Sequence, residues 1–411
     1  MIGRVSSKYA LRSLLRHPRR TILSILGVGV GCAIALIATS WVGGSTEMQI
    51  RAVAESGGGH LRVVPDGWTD TREDSLRIND WQETFDAVKS LPGVKSAALR
   101  ARTNGLLAFG NRMSAARISG VEPQVEKTSN RLVYKGTIEG RYLQNDDKNR
   151  VVIGRTLAKR LDVEVDDDLY VTLAGREEIQ SAMLRIVGIL ETGSKDLDAT
   201  ICHINLADFE EITGYDGPAD ISILLEHYSM IEPSIAALES LVPEPNTVIT
   251  WKEVNPGLAG NAQGDQAFTR SLVVVIVLVV VLGIASAQLT AVLERRTEFA
   301  ILCALGMKAR QVVGLMVLEA LIIGLGGAAI GLMVGGAVAH YLATTGVNLA
   351  ALAGEELSFA DVLLDPYMYG KFGPWLIWHS LGIALVSTTI ASIYPAWLVT
   401  KLNPADSLRT V

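Results

Sequence analysis

Charged side chains are scarce in this chain: Asp, Glu, Lys and Arg make up 19% of its 411 residues, where an ordinary soluble domain carries about 25%. Hydrophobic residues account for 49%. That balance excludes a disordered chain and a wholly soluble enzyme. The net charge of -6 gives no general attraction to phosphate polymers, so a nucleic-acid binder of the basic type is excluded as well. Three cysteines provide no disulfide framework, and Cys202 is expected as a core residue. Signatures of catalysis are missing too. No G-x-x-x-x-G-K-[ST] occurs, since Gly370-Lys371 is followed by Phe372, and neither G-x-S-x-G nor H-E-x-x-H is present. His60, His203 and His227 are scattered without metal-ligand spacing. Asp166-Asp167-Asp168 lacks the later Gly and Glu of a calcium loop and reads as a solvated turn. No catalytic residue, bound metal or directly bound cofactor is therefore expected.

What is present is four long apolar runs, at 21–43, 271–293, 312–344 and 375–399. Each is long enough to cross about 30 Å of hydrocarbon as a helix. The first two carry no charge and the third only Glu319. The first run follows a basic start, as a signal peptide does, but at 23 residues it exceeds a typical signal core of about 7–15 and reads as an uncleaved anchor. Lys and Arg collect in residues 1–20, in 294–311 and in the tail 400–411, while the loop 345–374 holds Lys371 against Glu355, Glu356, Asp361 and Asp365. By the positive-inside rule, both termini and 294–311 are expected in the cytoplasm, and 44–270 and 345–374 outside.

The expected architecture is a membrane α-helical protein of four transmembrane helices, with a large α+β extracytoplasmic domain between the first and second. Residues 47–269 carry 23 Lys and Arg against 35 Asp and Glu, enough chain for one or two cores. Strand-like runs lie at 60–65, 97–109, 113–121, 150–153, 169–173, 184–190, 200–205 and 220–225. Trp81, Phe85, Val88 and Leu91, and again Ile235, Leu238 and Leu241, recur at helical spacing. Strands interleaved with single helices predict small split βαβ-type sheets.

Three features address the cytoplasmic side and the packing of the spans. Arg4, Lys8, Arg12 and Arg16 recur every four residues, forming a basic stripe suited to an anionic lipid surface as well as to a topology signal. In 294–311, Glu294, Arg295, Arg296 and Glu298 start a short helix, Phe299, Ile301, Leu302 and Leu305 give it an apolar side, and Gly306 ends it. That apolar side needs a cover, either the membrane helices themselves or a groove on a soluble partner. In the third span, Gly327, Gly331 and Gly335 form a repeated G-x-x-x-G, a face for close packing within the chain or between chains. Spans without buried charge make a poor secondary transporter, so energy for any work must come from a partner.

The residues ERRTEFAILCALG at 294–306, the tail beginning YPAWLVTKLNP at 394, and ALRSLLR at 10 resemble the signature segments of the MacB, LolC/LolE and FtsX group of ABC transporter permeases. VIGRTLA at 152 and VGILETG at 187 are similar to that group's periplasmic core domain. The resemblance covers essentially the whole chain, and its closest layout is the lipoprotein-releasing permease. It implies a bacterial inner-membrane subunit that pairs with a second, identical or related permease and meets a dimer of a separate ATPase, which holds the ATP and Mg. The 294–306 segment would be the coupling helix. Such proteins transmit motion to the outer compartment, where the cargo is a lipoprotein or other envelope molecule, with a periplasmic carrier among the possible partners. The resemblance leaves open MacB-like export and regulation of a wall hydrolase, and a membrane-anchored structural or sensory protein without an ATPase is the contrasting class. Cys303 and Phe299 depart from the usual signature, 171–186 joins two strands without the Pro-bearing extension of the carrier-gripping subunits, and a MacB-type exporter would be expected to have its ATPase fused in front.

Overall fold

The computed structural model describes residue 16 and residues 18–304, 306–353, 358–359 and 362–400. The sequence features on Arg4, Lys8, Arg12, Leu305 and residues 401–411 lie outside these. The chain divides into two compact units, one made from Met1–Ser45, Gly264–Val347 and Tyr369–Val411 and the other from Thr46–Gln263 and Asn348–Met368.

Among the described residues, four helices are long and apolar enough to cross a membrane. They are Pro18–Val53, Pro256–Glu294, Ala309–Thr344 and Trp375–Thr400. In hydrocarbon every backbone amide must be satisfied within its own segment, which a helix alone accomplishes for a single span. The first two helices run well past their apolar runs, because helical hydrogen bonding continues into the flanking residues.

Within this unit the glycine stripe packs against the first helix of the same chain. A Cβ on Gly327 would lie 2.4 Å from Val28 Cβ, one on Gly331 2.4 Å from Cys32 Cβ, and one on Gly335 2.8 Å from Ala33 Cα. Real Cβ atoms do not approach so closely, so only glycine permits this separation of the two backbones. The fourth helix presents buried small polar residues. Ser387, Thr388 and Ser392 donate to carbonyls one turn back, and Ser380 Oγ donates to the Ala328 carbonyl of the third helix at 3.1 Å. Such bonds satisfy hydroxyls that lipid could not.

The other unit is built on one ten-stranded sheet. In chain order the strands are β1 (Leu61–Val64), β2 (Val94–Phe109), β3 (Arg112–Val121), β4 (Thr137–Gly140), β5 (Arg150–Gly154), β6 (Asp168–Ala174), β7 (Ile179–Glu191), β8 (Ile201–Asn205), β9 (Asp220–Leu225) and β10 (Thr247–Thr250). Their spatial order is β10-β1-β9-β2-β3-β8-β5-β7-β4, with β6 pairing both β2 and β7. β2 carries the architecture. On one side its first half pairs β9 from Val94 to Arg100 and its last part pairs β6 from Gly105 to Ala108; on the other it pairs β3 from Arg100 to Phe109. Residues of β2 enter two apolar clusters. One gathers Leu61, Val63, Leu99, Ile221 and Ile223 with Phe85 and Leu238 of the flanking helices. The other gathers Leu107, Ile118, Ile153, Leu169 and Ile204 with Leu157 and Phe209.

Within 345–374, which the sequence reading takes as an outer loop, Asn348–Met368 belongs to the sheet unit. Val362 enters the first cluster, and Asp365 pairs with the buried Arg131. A short apolar residue and one acid, distant in sequence from their partners, carry no periodic signal. The hairpin β6–β7 turns tightly, Gly175 N donating to Glu178 O at 3.0 Å, and carries no extension. Cys202 is fully buried, and burial pushes its thiol up to about 12.

The glycine contact generates a prediction. Gly331→Leu overpacks the interface of the first and third helices and lowers stability by about 1–3 kcal/mol or more. Gly314→Leu, where an added Cβ meets nothing within 4 Å, leaves it unchanged. Thermal unfolding of the detergent-purified variants separates the two; equal midpoints would refute the close packing.

Candidate functional site

The segment linking the second and third membrane helices is continuous with the second. Arg295 N donates to Ala291 O and Phe299 N to Arg295 O, so helical bonding passes through the junction into the short helix Arg296–Ala304. Gly306, beyond its end, takes φ 95°, a left-handed value that a residue with a side chain resists. The third helix then starts at Ala309, with Gln311 Oε1 accepting from Lys308 N at 2.9 Å.

Arg295 is the hub of this segment. Its side chain is only 9% exposed, and it donates from Nε to Glu298 at 3.2 Å and from Nη1 to Glu319 of the third helix, also at 3.2 Å. Its guanidinium sits 5.0 Å above the ring of Phe299. A cation at this depth is tolerated because carboxylates and a ring face it. Glu319, the one acid of the third apolar run, thereby has its partner.

The sequence-derived site residues are distributed unevenly around this hub. Phe299, expected on a partner-facing apolar side, is 4% exposed and packs among Val292, Val312, Met316 and Val399 of its own chain. The correction has a simple cause: the helix places Phe299 four residues after Arg295, on the face that returns to the bundle. Ile301 stands 48% exposed on the same helix. Glu294 pairs with Arg20 of the first helix at 3.3 Å, and Glu298 lies 3.9 Å from Arg16. Arg296 is half-buried. The side chain of Leu302 lies outside the described residues, as does Leu305. Gly327, Gly331 and Gly335 belong to the helix interface described above.

A second constellation, unforeseen from the sequence, lies in the sheet unit. Where β9 stops pairing with β2 and β6 has not begun, a cavity of about 340 Å³ opens, lined by Arg62, Arg72, Arg100, Arg102 and Arg117. Strand alternation explains the clustering: Leu99 and Ala101 turn to the core, which sends Arg100 and Arg102 to the other face. The same face receives Ser119 opposite Arg102, and Ser119 in turn is paired with His203 of β8. Fully buried Glu126 accepts from Arg100 Nε at 2.7 Å and from Asn130 at 2.7 Å, and these partners hold its carboxyl below the usual range against the opposing effect of burial. Arg62 donates to Gly58 O and lies 3.6 Å from Asp220, and Arg102 lies 3.5 Å from the same carboxylate. Burial above all, and then the neighbouring arginines, push Arg62 down to about 9, still charged at neutral pH. Its legible trace in the sequence is a set of arginines inside strand-like runs, LRVV and LRAR among them.

The C-terminal part of the chain, residues 270–404, matches the model of the FtsX-like permease C-terminal domain, and residues 21–239, more than half of the chain, match that of the MacB-like periplasmic core domain. The chain belongs to this family of ABC transporter permeases. The permease is 24% identical over 405 residues to the lipoprotein-releasing system transmembrane protein LolC of Xylella fastidiosa, a match spanning 95% of this chain and 93% of the relative. It is 23% identical to the lipoprotein-releasing protein LolE of Haemophilus influenzae, over 94% of this chain and 93% of the relative. It is 26% identical to the macrolide export ATP-binding/permease protein MacB of Hyphomonas neptunium, over 89% of this chain and 58% of that longer protein. The permease is thus a membrane subunit of an ABC transporter, a class that works with ATPase partners, and its sheet unit is of the periplasmic core type.

Two predictions follow from these geometries. Arg295→Ala leaves Glu319 half-buried opposite no cation and strips a face from Phe299, and lowers the stability of the helical unit by about 2–4 kcal/mol. Arg295→Lys, which keeps the charge but not the two-armed geometry, falls between. Tryptophan-fluorescence melting of the purified permease checks the order, and an unshifted Arg295→Ala would remove Arg295 as a brace.

The second concerns pH. His60 Nδ1 accepts from Leu225 N at 3.0 Å, His203 Nδ1 meets the hydroxyl of Tyr142 at 2.9 Å, and burial lowers each ring to about 4. A neutral buried histidine gains protons on unfolding below its ordinary value, so its contribution is intact above pH 6.5 and is lost as pH falls towards 4. The loss amounts to roughly 3 kcal/mol for each ring at most. Melting temperature should decline across that window, and His60→Gln with His203→Gln should flatten the decline; an identical slope in the double variant would contradict it.

Proposed function

We propose that this permease couples ATP hydrolysis in a separate ATPase dimer to movement at the outer face of a bacterial inner membrane, and that the work done there is the release or extrusion of lipoproteins or similar envelope cargo. The observation that carries the reading is the braced helix Arg296–Ala304. Phe299 and Arg295 tie it to the second and third membrane helices, while Ile301 on the same helix remains open to a groove on a partner. A push received at Ile301 is thus delivered to two membrane helices without a compliant loop between them. Glu294 and Glu298 face Arg20 and Arg16, so the first helix feels the same displacement.

Lipoprotein release is supported by the relatives named for it, LolC and LolE, which match along 95% and 94% of this chain. In this reading the termini and the short helix lie in the cytoplasm, as the distribution of Lys and Arg supports. ATP and Mg are held by the ATPase and not by this chain. A second permease, identical or related, completes the assembly; the second membrane helix exposes Val274, Val275, Leu278, Val279 and Leu282, an apolar face suited to it or to lipid.

The test is co-purification from mild detergent with mass spectrometry. A stoichiometric ATPase should accompany the wild-type permease, and Ile301→Asp should reduce its recovery by about tenfold or more, since burying a carboxylate in an apolar groove costs several kcal/mol. Retention of the ATPase by Ile301→Asp, with unchanged hydrolysis, would remove this helix from the coupling path. Recovery of no ATPase with the wild type would favour an anchored structural or sensory protein.

A further inference from the structure

A small polar cavity lies among the first three membrane helices, next to the Arg295–Glu319 pair. It is lined by Ser24 of the first helix, by Ile284 and Gln288 of the second, and by Glu319 and Ile323 of the third. Arg20 and Thr21 also border it and already have partners in the protein, Glu294 at 3.3 Å in the case of Arg20. The volume is about 20 Å³. A single water needs roughly 10–15 Å³ of such space, so the cavity admits one water and no larger ligand.

The amide of Gln288 gives the cavity its character. The residue is 8% exposed. Its Nε2 donates to Ser392 Oγ at 3.5 Å, and Ser392 Oγ donates in turn to Thr388 O at 2.6 Å. A hydroxyl whose proton is committed in this way can only accept from a neighbour. The amide is therefore fixed with Nε2 towards Ser392, because the flipped form would set oxygen against oxygen. Gln288 Oε1 is then out of contact with solvent and has no hydrogen-bond partner in the protein. Buried acceptors of this kind are satisfied by protein or by ordered water in the great majority of cases.

Two further groups complete the site. Glu319 accepts from Arg295 through Oε1, and a carboxylate offers about four lone-pair positions, so capacity remains on it. Ser24 brings a hydroxyl from the first helix. A buried water makes about three hydrogen bonds, and this set supplies two acceptors and one donor.

We propose that the cavity is a binding site for one water molecule, which donates to Gln288 Oε1 and to the Glu319 carboxylate and accepts from the Ser24 hydroxyl. The water joins the first three membrane helices beside the Arg295 brace. It satisfies the amide and still lets the helices shift slightly, since a bridging water reorients where a direct side-chain bond would break. The site follows from the packing of these helices, so its existence does not depend on the cargo or on the ATPase.

Radiolytic hydroxyl labelling of the full-length permease in dodecyl maltoside, read by mass spectrometry, tests the proposal. X-rays split a bound water in place, and the radical marks side chains against it that bulk solvent does not reach. Ile284 and Ile323 line the cavity and are 2% and 7% exposed; Ile383, 9% exposed in the same apolar cluster, does not line it. Ile284 and Ile323 should be labelled about three times faster than Ile383 or more, as a water held against them requires. Gln288→Leu replaces the amide with hydrocarbon, and a cavity of apolar character stays dry. Labelling of the pair should then fall to the level of Ile383. Circular dichroism checks that variant, and if it has not folded, the wild-type comparison decides alone. Equal rates at all three isoleucines, whether from a dry cavity or from a bundle that opens as a whole, would overturn the proposal. So would undiminished labelling of Ile284 and Ile323 in folded Gln288→Leu.

Discussion

A guanidinium removed from water must be met by carboxylates, carbonyls or a π face, and both units of this permease are organised around that demand. Arg295 among the membrane helices is answered by Glu298, Glu319 and the ring of Phe299. Arg100 in the sheet unit is answered by Glu126, itself supported by Asn130. In each case several segments distant in sequence must be in place before the charge is satisfied, so the charge specifies their arrangement more than it stabilises it. An apolar residue at either position would fill the volume without dictating which segments meet.

The helical unit shows how such a specification can be made stiff. Gly327, Gly331 and Gly335 bring two backbones together at distances no side chain would permit, and hydroxyls on the fourth helix bond to carbonyls of their own helix and of the third. Packing of this kind has few alternative states of similar energy. A helix held by it responds to force as a body, which is what the proposed coupling requires.

The elements differ in how openly the sequence displays them. The four spans are legible because hydrocarbon imposes a length and a composition that little else satisfies. The longer strands are legible from alternation, and the helix around Phe85 from its spacing. β4 and β10, the two ends of the sheet, escape because an edge strand is half-solvated and short, and TIEG and TVIT carry too little apolar pattern. Phe299 is legible as apolar surface in need of a cover, but the cover is its own bundle and not a partner, since periodicity gives a face without naming what lies against it. The arginine cavity is invisible for a different reason. Its members come from β1, β2, β3 and the segment near Trp68, and only the sheet register brings them together. Glu319 and Arg295 each stand out singly in the sequence; their pairing is a tertiary fact.

The sharing of β2 between two apolar clusters has a consequence for how this unit can be inherited. Its first half belongs to one cluster and its last part to the other, with Arg100 and Arg102 at the join. The second cluster is contiguous in sequence, from Ala101 to Ala219, and sits as an insertion between the two main segments that build the first. The pairing of β2 with β3 begins where its pairing with β9 ends, at Arg100, and its pairing with β6 follows from Gly105. A lobe bounded in this way can be inherited or exchanged as one piece, with its joints near residues 101 and 219.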